Sequence, residues 1–495
     1  MSKIASFVSL AGIQIDRDAA LALHRQLYDE LRHLILAGQL RAGTRLPPTR
    51  ALSAELGVSR NTVVLAIEQL VAEGYVQGKV GAGTFVSEAL PESLLRVPST
   101  PSPPSRVDCV SECTLSQRGR HFVQLSPHEG ASPGAFLPGM PEIATFPFTI
   151  WRKLLNKHWR QPTSDSLVYG SAAGYLPLRE AIADYVRTAR RVSCTAQQVI
   201  IVAGAQQAIQ MTIQLLTDAG DAVWIENPAY SGAQALFVGA GLRMTLVPLD
   251  KEGLVVDAGI TDCPDARLVY VTPSHQYPVG VTMSLTRRMQ LLQWAQKAGA
   301  WILEDDYDSE FRFAGHPLAS LQGLDQAGRV IYIGTFSKVL FPALRLGYLI
   351  VPPALSDAFT TARALLDRGS PWITQMVLND FIRQGHFARH IRRMRTLYAQ
   401  RQQILIEAIE QQCSDWLTVN PAPAGLHLLG WLPEGVDDTA VLAAMQARGV
   451  QARALSTYSL MPLKRGGLVL GFAALDEGTI RAGVKRMAVA WRGMV

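Results

Sequence analysis

Between residues 91 and 105 the chain reads PESLLRVPSTPSPPS, with five prolines and four serines in fifteen residues. Proline donates no backbone N–H and holds φ near −65°, so such a run cannot sit inside a helix or a central strand and tends to extend. No hydrophobic core can be continuous through it. Polar, weakly patterned sequence continues to about Gly134. The expected organisation is a small module over 1–88, a linker over 89–134 and a large module over 135–495. A chain of 495 residues exceeds what one core holds in any case.

Hydrophobic residues make up 48% and charged residues 18%, which excludes wholesale disorder. A net charge of +6 permits a polyanionic partner without identifying one. No run approaches the roughly 18 consecutive apolar residues of a membrane span, and the short apolar N-terminal stretch meets Asp16 and Arg17 with no cleavage pattern. The five cysteines are sparse and odd in number, which fits a reducing compartment. Cys109 and Cys113 have no second pair of ligands nearby, so no metal site is expected there. The expectation is a cytoplasmic protein without a membrane partner.

In the small module, Leu27, Leu31, Leu34 and Ile35 share one face of a helix that stops at Gly38. A short helix with Ala51, Leu52 and Leu56 follows, closed by Gly57. Ser59 is placed as N-cap of another helix, with Val63, Ile67, Leu70 and Val71 facing inward. Two helices about a glycine-containing turn match a helix-turn-helix, and YVQGKVGAGTFV reads as two strands around a glycine-rich wing tip. An ordinary helical hairpin is the plain alternative. Residues 1–88 hold nine basic and eight acidic side chains, yet Arg32, Arg41, Arg45, Arg50 and Arg60 face a single acid, Glu55, between positions 32 and 67. Ser59, Arg60, Asn61 and Thr62 suit phosphates and base edges at the exposed start of the second helix.

In the large module VIIVA, AVWIE, RMTLVPL, LVYVTP, AWILED, VIYIG and LRLGYLIV alternate with helical patterns. Seven strands of this kind predict an α/β sheet, mostly parallel, with ligands bound beyond the carboxyl ends of the strands. At those ends stand Lys338 after VIYIG, Asp305 and Tyr307 after AWILE, Gly204-Ala205-Gln206 after VIIVA, and Tyr230 in ENPAY. A desolvated lysine deprotonates readily, as imine formation requires, and a carboxylate can keep a pyridine nitrogen protonated. A helix start favours a phosphate, and Arg345 adds positive charge. Taken singly, each has a plain alternative: Ser-Lys as surface decoration, EDDYDSE as a solvated acidic turn or divalent-metal site, Gly-Ala-Gln as an ordinary turn.

The run LPPTRALSAELGVSRNTVVLAIEQLVAEGYV with GAGTFV closely resembles the winged-helix domain of the GntR regulators. The resemblance implies that Arg50 and Ser59, Arg60, Asn61 and Thr62 contact double-stranded operator DNA, with Gly81 and Gly83 letting the wing backbone approach phosphate. Val64 departs from the arginine many relatives carry. YGSAAGYLPLREAI, GAQQAI, the Asp-x-Tyr pair and SKVLFPALRLG resemble fold-type I aminotransferases, in the expected order, over nearly all of 135–495. That likeness implies a pyridoxal 5'-phosphate site in a seven-stranded, mostly parallel α/β large part (about 165–370), with a smaller C-terminal α+β part (about 371–495). Lys338 would form the Schiff base, Asp305 would meet the ring nitrogen, Tyr307 the phenolic oxygen, and Tyr230 would stack on the ring. Ala205, Gln206, Thr335, Ser337 and Arg345 would hold the phosphate. Tyr169 would reach the phosphate of the other subunit of a homodimer. A winged helix before such a domain is the arrangement of the MocR-type regulators, which TPSHQYPVG, EDDYDSEF and GTFSK also resemble.

Three positions depart from an enzyme. Tyr277 stands where aminotransferases place an asparagine, Ala474 where an arginine follows GFA in amino-acid-sensing relatives, and Gly232 where some relatives carry a second arginine. Loss of a two-bonded arginine would cost about 2–5 kcal/mol of carboxylate binding unless replaced, with Arg312, Arg453 and Arg465 as candidates. Three readings compete: a regulator that senses a small-molecule effector, a transaminase carrying a DNA-binding module, and a cofactor domain used only as a dimerisation scaffold. Intact Lys338, Asp305 and Tyr307 disfavour the scaffold. Ala474 and Tyr277 disfavour the enzyme, leaving at most residual half-reaction chemistry. The sensed molecule is expected to be pyridoxal phosphate itself, an amine or an amino acid.

Overall fold

In the computed structural model, which describes residues 10, 12–13, 15–19, 21–79, 82–90, 115–125, 135–315 and 319–494, the chain divides into two units, 1–113 and 114–495. Cys109, Cys113 and the Pro/Ser run fall outside the described residues.

The first unit is built on α1 (Leu23–Leu36), α2 (Thr49–Leu56) and α3 (Arg60–Ala72). Leu27, Leu31 and Ile35 from α1, Leu52 from α2, and Val63, Ile67 and Leu70 from α3 form one core. One expected inward residue differs. Val71 is exposed while Ala66 is buried, because at 100° per residue position 66 lies closer to the Val63–Leu70 stripe. Gly57 adopts the left-handed C-cap conformation, φ 64°. Strands β1 (Val76–Lys79) and β2 (Gly83–Val86) pair antiparallel from Val76↔Val86 to Lys79↔Gly83.

The stretch read as linker contains α4 (Gln117–Leu125), which belongs to the second unit and packs on a later helix, α6 (Ser231–Ala240). Local bonds start α4: Ser116 Oγ accepts from the Gly119 N–H at 3.0 Å, and Arg120 donates to the Leu115 carbonyl at 2.9 Å. With three apolar residues in nine, QRGRHFVQL reads as polar sequence, so the pattern did not mark this helix.

All seven expected strands of the large sheet form: β3 (Val199–Val202), β4 (Ala222–Asn227), β5 (Arg243–Asp250), β7 (Leu268–Val271), β8 (Trp301–Asp306), β9 (Val330–Thr335) and β10 (Gly347–Ile350). An eighth, β6 (Gly253–Leu254), is two residues long and carries no readable pattern. The order is β3-β10-β9-β8-β7-β4-β5-β6. Strands β5, β4, β7, β8 and β9 run parallel to one another, whereas β10 is antiparallel to both β3 and β9. Every residue of β3, β7, β9 and β10 is buried, as a sheet covered on both faces requires. The C-terminal part carries an antiparallel sheet of four strands, β11 (Thr418–Val419), β12 (His427–Trp431), β14 (Gly467–Gly471) and β13 (Arg453–Ala454), in that order. One hydrophobic cluster runs from Phe136 and Leu178 through Tyr348 to Leu470 and Val484, so both parts share a core.

The acidic run at the end of β8 is neither a solvated turn nor a surface cluster. Glu304, Asp305, Asp306, Asp308 and Glu310 are all buried. Glu304 accepts from the N–H groups of Leu321 and Gln322, both at 2.9 Å, and Glu310 accepts from the Tyr185 hydroxyl at 3.0 Å. Burial pushes both carboxyls up to about 7. Asp306 takes Arg190 Nε at 2.7 Å and the Tyr332 hydroxyl at 2.5 Å. Burial works against the Arg190 charge, but Asp306, with Tyr332, Glu310 and Glu304 behind it, more than offsets burial and holds the guanidinium above its usual range. Asp306→Ala would leave this arginine charged and unpaired in the interior. The expected result is a loss of about 3–5 kcal/mol, read as a lower denaturant midpoint. A loss under about 1 kcal/mol would show that the pair is replaceable.

Candidate functional site

On the first unit, Ser59 caps α3, accepting from the Thr62 N–H at 3.1 Å, with its hydroxyl 2.8 Å from that of Thr62. This geometry leaves Arg60 and Asn61 exposed at the helix start, with Arg50 exposed on α2 and Thr62 half-buried. Gly83 has φ 111°, a conformation that side chains resist, and a Cβ there would meet the Arg45 guanidinium with Nε at 2.9 Å. Gly81 lies outside the described residues.

On the second unit, sheet register gathers the other expected residues. Gly347 at the start of β10 pairs with Thr335 at the end of β9 and with Val202 at the end of β3. Arg345, just before β10, therefore shares one sheet edge with Ser337 and with Gly204, which opens α5 (Ala205–Leu216). Gly204 has φ 129°, a conformation that turns the chain from strand into helix and that side chains resist. Ala205, Gln206, Tyr230, Asp305, Tyr307, Thr335, Ser337, Lys338 and Arg345 all line one cavity of about 230 Å³. Tyr169 does not line it and is 83% exposed, with Arg368 over its ring.

Inside the cavity Lys338 Nζ donates to the Gly139 carbonyl at 2.9 Å. Burial lowers its pKa, while Asp308 and Asp305 work the other way. Asp305 Oδ2 accepts from the Tyr270 hydroxyl at 2.8 Å, whereas Oδ1 is buried with no protein partner. Burial raises this carboxyl to about 7. Gln206 Nε2 donates to the Tyr230 hydroxyl at 2.9 Å. Thr335 Oγ1 accepts from the Ser337 N–H at 3.2 Å.

Several lining residues escaped the sequence reading, among them Tyr270, Thr272, Leu426 and His427. Tyr270 and His427 are polar residues inside otherwise apolar strand runs, LVYV and HLLGW, and that contrast was the available signal. His427 is pushed down to about 3 by burial and by His275. His275, Asp308 and His427 also bring donor atoms within 4.8 Å of one another, a grouping that no local spacing foretells.

The departures have a structural account. Tyr277 lines the cavity and points its hydroxyl at that of Tyr458, 2.9 Å away. A Cβ on Gly232 would lie 2.0 Å from Gln206 Nε2 and 2.6 Å from the Tyr230 hydroxyl, so an arginine there would break that bond. Ala474 is exposed and outside the cavity. None of Arg312, Arg453 and Arg465 lines the cavity. Arg312 donates to the Ser274 and Ala314 carbonyls and Arg465 to that of Leu432, while Arg453 acts on the Tyr277–Tyr458 pair from outside. Among the described residues, the lining cations are Lys338 and Arg345.

Residues 142–487 match the family described as aminotransferase class I and II, and residues 23–86 match the bacterial regulatory proteins of the gntR family. The chain is 40% identical to the probable rhizopine catabolism regulatory protein MocR of Rhizobium meliloti, over 96% of this chain and 95% of that protein. It is 33% identical to the pyridoxine biosynthesis transcriptional regulator PdxR of Corynebacterium glutamicum, over 92% and 93%. Among solved structures, the kynurenine aminotransferase of Pyrococcus horikoshii superposes with a TM-score of 0.68 at 28% identity, covering 78% of this chain and 96% of that one. With both domains matched in one chain and a full-length relative at this identity, the chain belongs to the MocR-type subgroup of the GntR regulators, a winged helix-turn-helix joined to an aminotransferase-like domain.

Proposed function

We propose that this chain is a transcription regulator that binds double-stranded operator DNA through its winged helix and pyridoxal 5'-phosphate in the cavity of its large unit. The observation that carries the cofactor half is Asp305 Oδ1, a buried oxygen facing a lysine-lined cavity with no protein partner. A protonated ring nitrogen is the donor such an oxygen lacks. Arg345, the N–H groups at the start of α5, Thr335 and Ser337 would hold the phosphate, and Tyr230 would lie against the ring. Tyr307 would donate to the phenolic oxygen, and Lys338, desolvated and readily neutral, would attach the aldehyde carbon. The bound group supplies an electrophilic carbon toward amines and an electron-withdrawing ring.

The regulator reading is favoured over the transaminase because the two lining cations are both committed to the cofactor, which leaves no charge for a substrate carboxylate. The same balance supports sensing of the cofactor itself, or of an amine without an α-carboxylate. Leu167, Val168 and Tyr169 are exposed in succession, which supports a homodimer covering them. Sensing requires that the ligand favour one arrangement of the DNA-binding units over another.

Three measurements test this reading. Borohydride should fix the cofactor to Lys338, and a Lys338→Ala variant still carrying a reducible adduct in the cavity would sink the assignment. Arg60→Ala should weaken operator binding by about 1–3 kcal/mol if Arg60 reads a base edge. A uniform loss on all sequences with a shallower salt dependence would make it a phosphate contact, and unchanged binding would remove α3 from the interface. Operator affinity should change between cofactor-free and cofactor-loaded protein and stay put on adding α-amino acids. Equal affinity of the two forms, with a response to one α-amino acid, would replace cofactor sensing by amino-acid sensing.

A further inference from the structure

His275 is buried behind the cavity rather than in its lining, yet its Nδ1 sits 3.0 Å from the Tyr307 hydroxyl and 2.9 Å from Asp308 Oδ2. His275 and Asp308 side chains are 0% and 1% exposed. The ring is wedged by backbone: a Cβ on Gly425 would overlap it, at 2.1 Å from Cε1, and one on Gly280 would lie 3.3 Å from Nε2. His275 therefore has no room to swing, and its hydrogen positions follow from its neighbours.

A carboxylate oxygen 2.9 Å from a ring nitrogen needs a proton between them. Nδ1 must carry it, because Nε2 is buried with no partner, and an unpartnered lone pair costs less there than an unpartnered N–H. With Nδ1 protonated, the Tyr307 hydroxyl cannot donate to it and can only share its hydrogen. The Tyr307 proton is then left to point into the cavity that Tyr307 lines. His427 does not compete, since its Nε2 bonds the Pro278 carbonyl at 3.1 Å and its ring lies alongside that of His275 with centroids 5.0 Å apart.

We infer that His275 and Asp308 form a positioning pair that locks the Tyr307 hydroxyl as a hydrogen-bond donor toward an anionic oxygen of the ligand in the cavity. The inference rests on the cofactor reading above, with the phenolic oxygen of the cofactor as that acceptor. A donor fixed in advance needs no reorganisation on binding and stabilises the oxygen in its ionised form. Neither His275 nor Asp308 touches the ligand, so both act through Tyr307.

The test uses the full-length protein loaded with pyridoxal phosphate, following cofactor dissociation and the pH dependence of its absorbance. His275→Phe keeps the ring volume and removes the donor. It should weaken cofactor binding about tenfold and raise the pH midpoint of the bound absorbance by about one unit, because the ionised oxygen loses its donor. His275→Asn, which restores an N–H near the Nδ1 position, should recover most of both. Tyr307→Phe should reproduce the His275→Phe effects, and the double variant should be no worse than Tyr307→Phe alone. Should His275→Phe not fold, Asp308→Asn takes its place: the midpoint should move in the same direction, and the shift should vanish in the Tyr307→Phe background. Additive effects in the double variant, or an unmoved midpoint, would overturn the inference while leaving the cofactor reading intact. Absence of any Lys338-dependent absorbance in the unaltered protein would overturn both.

Discussion

Five carboxyl groups are buried within seven residues at and beyond the end of β8, and each needs its own source of protons or positive charge. The partners arrive from distant parts of the chain: Arg190 for Asp306, backbone N–H groups of 321 and 322 for Glu304, Tyr185 for Glu310, His275 for Asp308 and Tyr270 for Asp305. A carboxylate left without such a partner in a low-dielectric interior costs several kcal/mol, so this demand ties helices, strands and loops of the large unit to one point. Asp305 is the exception in lining the cavity, although one oxygen each of Asp306, Asp308 and Glu310 is likewise buried without a protein partner. One of its oxygens is answered by Tyr270 and the other faces the cavity.

That exception links the fold to the chemistry. The cavity sits where β3, β9 and β10 end or begin together, because the reversal of β10 brings Arg345 to the same edge as the carboxyl ends of its neighbours. The sheet therefore delivers a helix start, an arginine, a lysine and a carboxylate to one volume. The rest of the lining is different in kind: Tyr277, whose hydroxyl meets that of Tyr458, contributes a mostly uncharged surface with Leu426 and His427, and a Cβ on Gly232 would collide with Tyr230 and Gln206. The site is charged where a phosphate and a ring would need it and nearly neutral elsewhere.

Helix α4 adds a link within the large unit. It belongs to the large unit and packs on α6, whose N-cap is Tyr230 in the cavity wall.

The helix-turn-helix core and the seven long strands were legible in the sequence because their signals are local: apolar residues at helical or strand spacing, Ser59 before a helix, Gly57 after one. Lys338, Asp305 and Tyr307 were legible as candidates for a related reason, since each stands at or just beyond the end of an apolar strand and strand ends are where such sheets hold ligands. The strand β6 and the helix α4 were not, being too short or too poor in apolar residues to leave a pattern. Nor were the bonds that give the site its properties. Tyr270 reaches Asp305, His275 reaches Asp308 and Tyr307, and Arg190 reaches Asp306 across 35, 33, 32 and 116 residues respectively. By itself the sequence determined which segments form helices and strands and which polar residues stand at their ends. Only the tertiary structure decided which of those residues meet, because register and strand order, rather than spacing along the chain, set the distance between one side chain and the next.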